Sequence, residues 1–283
     1  MAEFIEILKS ILYGIIEGIT EWLPISSTGH LILFEELFWK NSDPDFMEMF
    51  RVVIQLGAIL AVIVMFFRKL NPFSKKKDSI AKKSTWEMWF KVIIACLPAA
   101  VIGLPFDDLL DKWFYNFPTV AVTLIIYGIA FIVIESTVRP APKINDISEM
   151  SYKTALIIGA IQLLALIPGT SRSGVTILGA LLLGCSRTVA AEFSFFLAIP
   201  IMFGASLLKC ASYAKDMLDG QAAAINSTEI IVLAVGLVVA FAVSLMAIRF
   251  LTEYVKRKNF KPFGYYRIIL GIILLGYFFL FAR

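Results

Sequence analysis

The chain has 283 residues, of which 59% are hydrophobic and 17% charged, with a formal net charge of +4, and its mean hydropathy is +0.82. Soluble domains carry about 25% charged and 45–50% apolar residues, so this composition excludes a disordered chain, a fibrous repeat and a secreted disulfide scaffold, and indicates an all-α integral membrane protein. The single histidine, His30, excludes a histidine-rich zinc or haem site, and Cys96, Cys185 and Cys210 lie inside apolar runs as small hydrophobes.

The first residues, Met1-Ala2-Glu3-Phe4-Ile5-Glu6, carry acids where a secretory leader carries positive charge, so they are expected to belong to the mature protein. An apolar run over Ile5–Ile19 stops at Glu21-Trp22-Leu23-Pro24 and resumes at Leu31–Trp39. Within its first arm, Gly14 and Gly18 form a small-xxx-small pair that suits close helix packing. Stretches near Phe50–Phe67, Met88–Phe106 and Pro118–Glu135 then reach the roughly 20 residues needed to cross the hydrocarbon. A second interrupted run follows: Ala155–Ile167 stops at Pro168-Gly169 and resumes at Val175–Gly184. Three further spans lie near Ala190–Ala211, Ile230–Phe250 and Tyr265–Ala282. The arms of the interrupted runs are too short to cross alone, and non-helical backbone at membrane depth is tolerated only against protein or a wet cavity. Both are therefore expected to be re-entrant helix–loop–helix hairpins beside six transmembrane helices.

Basic residues set the expected orientation. The segment Arg68–Lys83 carries Arg68, Lys69, Lys75, Lys76, Lys77, Lys82 and Lys83 against Asp78; the next loop carries Asp107, Asp108 and Asp111 against Lys112. Arg139, Lys143 and Lys153 follow, and Lys256, Arg257, Lys258 and Lys261 separate the last two spans. The positive-inside rule puts the basic loops in the cytoplasm and the aspartate loop outside. Both termini then lie outside, the first hairpin entering from the outer face and the second from the cytoplasmic face. The lysine run reads as a solvated loop touching anionic lipid. Pro24-Ile25-Ser26-Ser27 and Pro168-Gly169-Thr170-Ser171 open the two breaks, and Phe50 and Phe193 begin the spans after them, at matching separations. This predicts a single membrane domain built as an inverted-topology repeat, about 1–136 and 150–283, with a binding site where the breaks meet.

The breaks hold the chemistry. Glu17 and Glu21, at i and i+4, share one helix face about 6 Å apart; two anions in an apolar segment require a cation, a proton or water, or else mark a wet helix end. Ser26, Ser27, Thr28, Gly29 and His30 add hydroxyls and an imidazole, the parts of a nucleophile, base and orienter, although such hydroxyls also satisfy free backbone. The second break, Pro168-Gly169-Thr170-Ser171-Arg172-Ser173-Gly174, can direct N–H and hydroxyl donors at an anion just before a helix N-terminus. Arg172 adds a planar fork suited to phosphate, with Glu17 or Glu21 as its partner at rest. An anion cradle beside a carboxylate pair favours phosphoryl chemistry on a membrane-dissolved substrate.

The run Glu17–Leu31, EGITEWLPISSTGHL, resembles the first signature of the undecaprenyl-diphosphate phosphatase (bacitracin-resistance) family, and Pro168–Thr176, PGTSRSGVT, resembles its second. Arg187–Pro200, with AAEFSF inside, is similar to the family as well. The resemblance implies a bacterial plasma-membrane hydrolase that removes one phosphate from a C55 isoprenoid diphosphate. It further implies a site open to the outer face, a divalent cation and a homodimer. Glu17 and Glu21 are the residues expected to bind that cation, Mg²⁺ or Ca²⁺, with substrate oxygens, and the expected partners are lipid and no nucleic acid. Carried over residue by residue, the functional residues are Glu17, Glu21, Ser27, His30, Ser171, Ser173 and Arg172. The expected catalytic set is Ser27, His30, Glu17, Glu21 and Arg172, and Ser26, Thr28, Gly169 and Thr170 join Ser171 and Ser173 as the residues expected about the substrate. Ser27 attacking with His30 as proton acceptor, and His30 attacking with Ser27 as donor, both remain open. A secondary transporter or lipid flippase is the competing reading, since inverted repeats, broken helices and midplane charges are transporter features. A serine intramembrane protease fits the arginine and carboxylates less well.

Overall fold

The computed structural model describes residues 2–39, 43–103, 105–106, 113–114, 116–137, 141–220 and 225–281. The aspartate loop (Asp107, Asp108, Asp111, Lys112) and Arg139 lie outside the described residues. Among the described residues ten principal helices run in chain order: α1 Ala2–Thr20, α2 Ser27–Phe38, α3 Pro44–Met65, α4 Ser79–Pro98, α5 Phe117–Thr137, α6 Tyr152–Gln162, α7 Arg172–Leu182, α8 Arg187–Leu218, α9 Ser227–Val255 and α10 Lys261–Phe281. A π-turn, Ala99–Gly103, extends α4, and a 3₁₀ turn, Leu163–Leu166, tightens the end of α6 before Pro168. Six of these elements are long and apolar enough to cross a membrane: Pro44–Met65, Ser79–Gly103, Phe117–Thr137, Arg187–Leu218, Ser227–Val255 and Lys261–Leu280. They coincide with the six spans expected from hydropathy.

The interrupted runs form α1–α2 and α6–α7. Helices α2 and α7 start at Ser27 and Arg172, before the apolar runs resume at Leu31 and Val175, because serines cap them. Ser26 Oγ accepts from Gly29 N at 3.3 Å and Ser171 Oγ accepts from Gly174 N at 3.1 Å. Ser26 (φ 75°) and Ser171 (φ 72°) are the non-glycine residues with left-handed backbone among the described residues. That conformation is costly for an L-residue and persists only where its surroundings enforce it.

Packing pairs the elements across the two halves. Helix α1 lies along α9 while α6 lies along α4; α3 packs on α8 and α9, and α4 on α8; α5 lies along α10. Exchanging α1–α5 with α6–α10 maps each of these pairs onto another or onto itself. Helices α1 and α9 approach through Gly14 and Gly18, where an added Cβ would sit 2.8 Å from Gly236 O and 3.0 Å from Ala240 O, as the small-residue spacing predicts. Helices α5 and α10 meet through Gly128 and Gly264, whose added Cβ atoms would lie 2.8 and 2.6 Å from each other's carbonyl. The cysteines are free thiols.

Two ion pairs join helices of the bundle. Arg51 binds Glu35 through two bonds of 2.8 and 2.7 Å while Tyr13 OH donates to the same carboxylate at 2.7 Å, joining α1, α2 and α3. Arg187 grips Glu135 with its shortest bond at 2.6 Å, and Phe260 N donates to Glu135 at 2.9 Å, joining α5, α8 and the α9–α10 connection.

Gly14→Val forces a branched side chain against α9 backbone and should cost about 1–3 kcal/mol, read as a lower melting temperature in detergent. Gly276, whose added Cβ would meet nothing within 4 Å, is the control: Gly276→Ala should stay within about 0.5 kcal/mol.

Candidate active site

The end of α1 and the starts of α2 and α7 converge because the two breaks are stitched to each other. Ser173 Oγ donates to Glu21 O at 3.1 Å across the breaks. Arg267, fully buried on α10, donates from Nη1 to Pro24 O at 3.3 Å and from Nη2 to Gly169 O at 2.9 Å and Thr170 O at 3.0 Å. Thr123 Oγ1 on α5 donates to Pro168 O at 2.7 Å. Side chains from the last span of each half thus satisfy carbonyls that lipid would leave unpaired. Gly169 (φ 86°) has no room for a side chain: an added Cβ would meet Thr123 Oγ1 and lie 2.6 Å from Val120 O.

Around this seam stand the expected chemical groups. Glu21 N donates to Glu17 O at 3.0 Å, so the helical path carries both carboxylates on successive turns of one face. Glu21 Oε1 accepts from Arg172 Nη2 at 2.8 Å, and Glu21 Oε2 accepts from Ser27 Oγ at 2.8 Å. Of the two candidate partners, Glu21 is the one that pairs with Arg172. The guanidinium also donates to Ser194 O at 2.8 Å and lies over the Trp22 ring at 5.6 Å. Glu17 is 1% exposed, and neither of its carboxylate oxygens has a partner among the described residues. A buried, unpaired carboxylate beside a second one is a strong sink for positive charge.

The hydroxyls and the imidazole divide into two groups. Ser171 Oγ pairs with Ser173 Oγ at 3.2 Å, and the buried Ser26, Thr170 and Ser173 line the seam. Ser27 and Thr28 occupy the first turn of α2. His30 Nδ1 contacts Ser26 O at 2.7 Å and Nε2 contacts Tyr266 OH at 2.6 Å. Ser27 and His30 therefore do not bond to each other; the proton of Ser27 points to Glu21. No group of three or more His, Cys, Asp or Glu side chains converges on a metal position among the described residues. A cation at Glu17 and Glu21 would draw its other oxygens from substrate and water, the usual habit of Mg²⁺.

The family model of the bacitracin resistance protein BacA matches residues 10–273. The chain belongs to this family. It is 60% identical over 276 residues to the undecaprenyl-diphosphatase of Enterococcus faecalis, which covers 97% of this chain and 98% of the relative. It is 58% identical over 275 residues to the undecaprenyl-diphosphatase of Acetivibrio thermocellus, again with 97% and 98% coverage. The undecaprenyl-diphosphatase of Streptococcus pyogenes is 54% identical over 274 residues, 96% of each chain.

In this family member, sequence reasoning passed over Arg267, Thr123, Ser194 and Tyr266. Arg267 carried a usable signal, an arginine inside an apolar span, which needs a buried partner. Thr123, Ser194 and Tyr266 are ordinary residues of their helices until the fold brings them to the breaks. Arg267→Lys keeps the charge but cannot reach three carbonyls on two loops. It should cost about 2 kcal/mol of stability, measured as a melting-temperature loss in detergent.

Proposed function

We propose that the protein is a membrane hydrolase that removes the terminal phosphate of undecaprenyl diphosphate, returning the monophosphate carrier lipid to cell-wall synthesis and conferring bacitracin resistance. The observation that carries this reading is the Glu21 carboxylate held at 2.8 Å by Ser27 on one side and 2.8 Å by Arg172 on the other. A hydroxyl nucleophile, its proton acceptor and a phosphate-binding cation are thereby joined across the two breaks. The relatives' names support it independently.

In the mechanism, the diphosphate enters between the N-terminal turns of α2 and α7, with the isoprenoid tail left in the bilayer. Arg172, Ser171 and first-turn amides orient the terminal phosphate and offset the charge that builds on it. Ser27 Oγ attacks the terminal phosphorus while its proton passes to Glu21. The bond to the bridging oxygen breaks, undecaprenyl phosphate leaves, and water then cleaves the phosphoserine. A divalent cation, Mg²⁺ or Ca²⁺, held by Glu17 and Glu21 would neutralise phosphate oxygens; the unpaired oxygens of Glu17 suit it. A second scheme, with His30 Nε2 as nucleophile, is favoured by the anchoring of Nδ1 on Ser26 O, which leaves Nε2 as the reactive nitrogen.

The same reading places the site on the extracytoplasmic side of the bacterial plasma membrane, with both termini there and the basic segment between α3 and α4 in the cytoplasm. The helix pairs α1–α2 and α6–α7 are re-entrant hairpins of an inverted repeat; the exchange symmetry of the packing and the twin serine caps support this. A homodimer in lipid is the expected assembly. A transporter or flippase is not favoured, because it needs no nucleophile.

Purified protein in detergent, without any gradient, should release phosphate from a C55 isoprenyl diphosphate in the presence of Mg²⁺ or Ca²⁺. Glu21→Ala and Arg172→Ala should each lose at least about 10²-fold in kcat. Retained activity in Arg172→Ala would sink the cradle. Acid-stable phosphoserine trapped in the wild type and absent from Ser27→Ala supports attack by Ser27; acid-labile phosphohistidine supports attack by His30.

A further inference from the structure

The imidazole of His30 is held at both nitrogens, by the backbone carbonyl of Ser26 within the first signature and by Tyr266 outside both. Ser26 O can only accept, so its 2.7 Å contact requires the proton on Nδ1. That carbonyl is aimed by the left-handed backbone of Ser26 (φ 75°). In the neutral ring Nε2 is then a bare lone pair, and Tyr266 OH, 2.6 Å away, is the donor that fills it. The two rings lie almost parallel, with an interplanar angle of 4° and centroids 5.6 Å apart. Ser27 Oγ, which sequence reasoning pairs with His30, gives its proton to Glu21 instead. Any part His30 takes in the reaction therefore passes through Nε2, the nitrogen covered by Tyr266.

Tyr266 is well placed to control that atom. It precedes Arg267, which holds carbonyls of both breaks, so the backbone that carries the tyrosine is registered directly against the seam. Tyr266 is 44% exposed, so its contact with His30 is not locked inside the packed core. We propose that Tyr266 is a positioning residue for the phosphatase reaction. Its hydroxyl holds the His30 ring in place at Nε2 and hands that nitrogen over to water or to the O–H of a protonated phosphate when substrate binds. No bond beyond hydrogen bonds is made or broken in this exchange. The proposal rests on the phosphatase reading above for its effect on turnover, but not for the contact itself.

The chain has one histidine, so selective ¹⁵N-histidine labelling gives a spectrum of His30 alone, in the full-length protein in detergent. The wild type should show a protonated Nδ1 and an unprotonated Nε2 with the shift of a hydrogen-bonded acceptor. Tyr266→Phe, which keeps the ring at a half-exposed position, should move the Nε2 resonance to that of a free imidazole nitrogen and leave Nδ1 in place. In the phosphate-release assay the same variant should lose about tenfold in kcat with KM within about twofold. Tyr265→Phe, one residue away and 54% exposed, should change neither. A purely structural role would lower the melting temperature or raise KM without moving Nε2. A wild-type Nε2 already at the free position, an Nε2 resonance unmoved in Tyr266→Phe, or an unchanged kcat would each overturn the proposal. Failure of the phosphatase reading would appear separately, as absent turnover in the wild type.

Discussion

Two stretches of this chain abandon the helix between apolar segments, and the carbonyls they release must find donors inside the protein. Most of what is distinctive about the structure answers that demand. Arg267, Thr123 and Ser173 are spent on it, and in meeting it they draw the end of α1 and the starts of α2 and α7 to one place. The chemistry is assembled on top of this repair. Glu21 links Ser27 to Arg172 while its own backbone carbonyl is held to the second break by Ser173.

The site is also uneven in its charges. Arg172 divides its donors between Glu21 and Ser194 O and lies over Trp22, so Glu21 is compensated. Glu17, one turn away and as deeply buried, is not. A buried carboxylate without a charged partner is relieved by a proton or by a cation.

The spans were legible in the sequence because crossing a bilayer depends on length and apolarity, properties of a continuous stretch that need no tertiary partner. The breaks were legible for the opposite reason: Pro24 and Pro168-Gly169 interrupt runs that are otherwise helical. Glu17, Glu21 and Arg172 stood out as charges in such runs. The helix starts were missed by a few residues, since hydropathy does not see a serine cap. The bonding of His30 was illegible: Tyr266 lies 236 positions away, on a helix whose facing is set by glycines on α5 and α10 that no local pattern ties together. Ser194, whose backbone carbonyl takes Arg172, is equally silent, because any residue has a carbonyl.

The paired glycines of α5 and α10 carry a consequence for how the chain can vary in length. Gly264 seats α10 against Gly128, and Arg267 follows three positions later, less than one turn. Each residue of an α-helix turns the chain by about 100°, so a single insertion or deletion between Gly264 and Arg267 would swing the guanidinium away from the seam with the glycine contact still made. The connection before Phe260 has no such clockwork. Length changes there leave the angular relation between the glycine and the arginine intact, so that junction can drift while four consecutive positions of α10 keep their spacing.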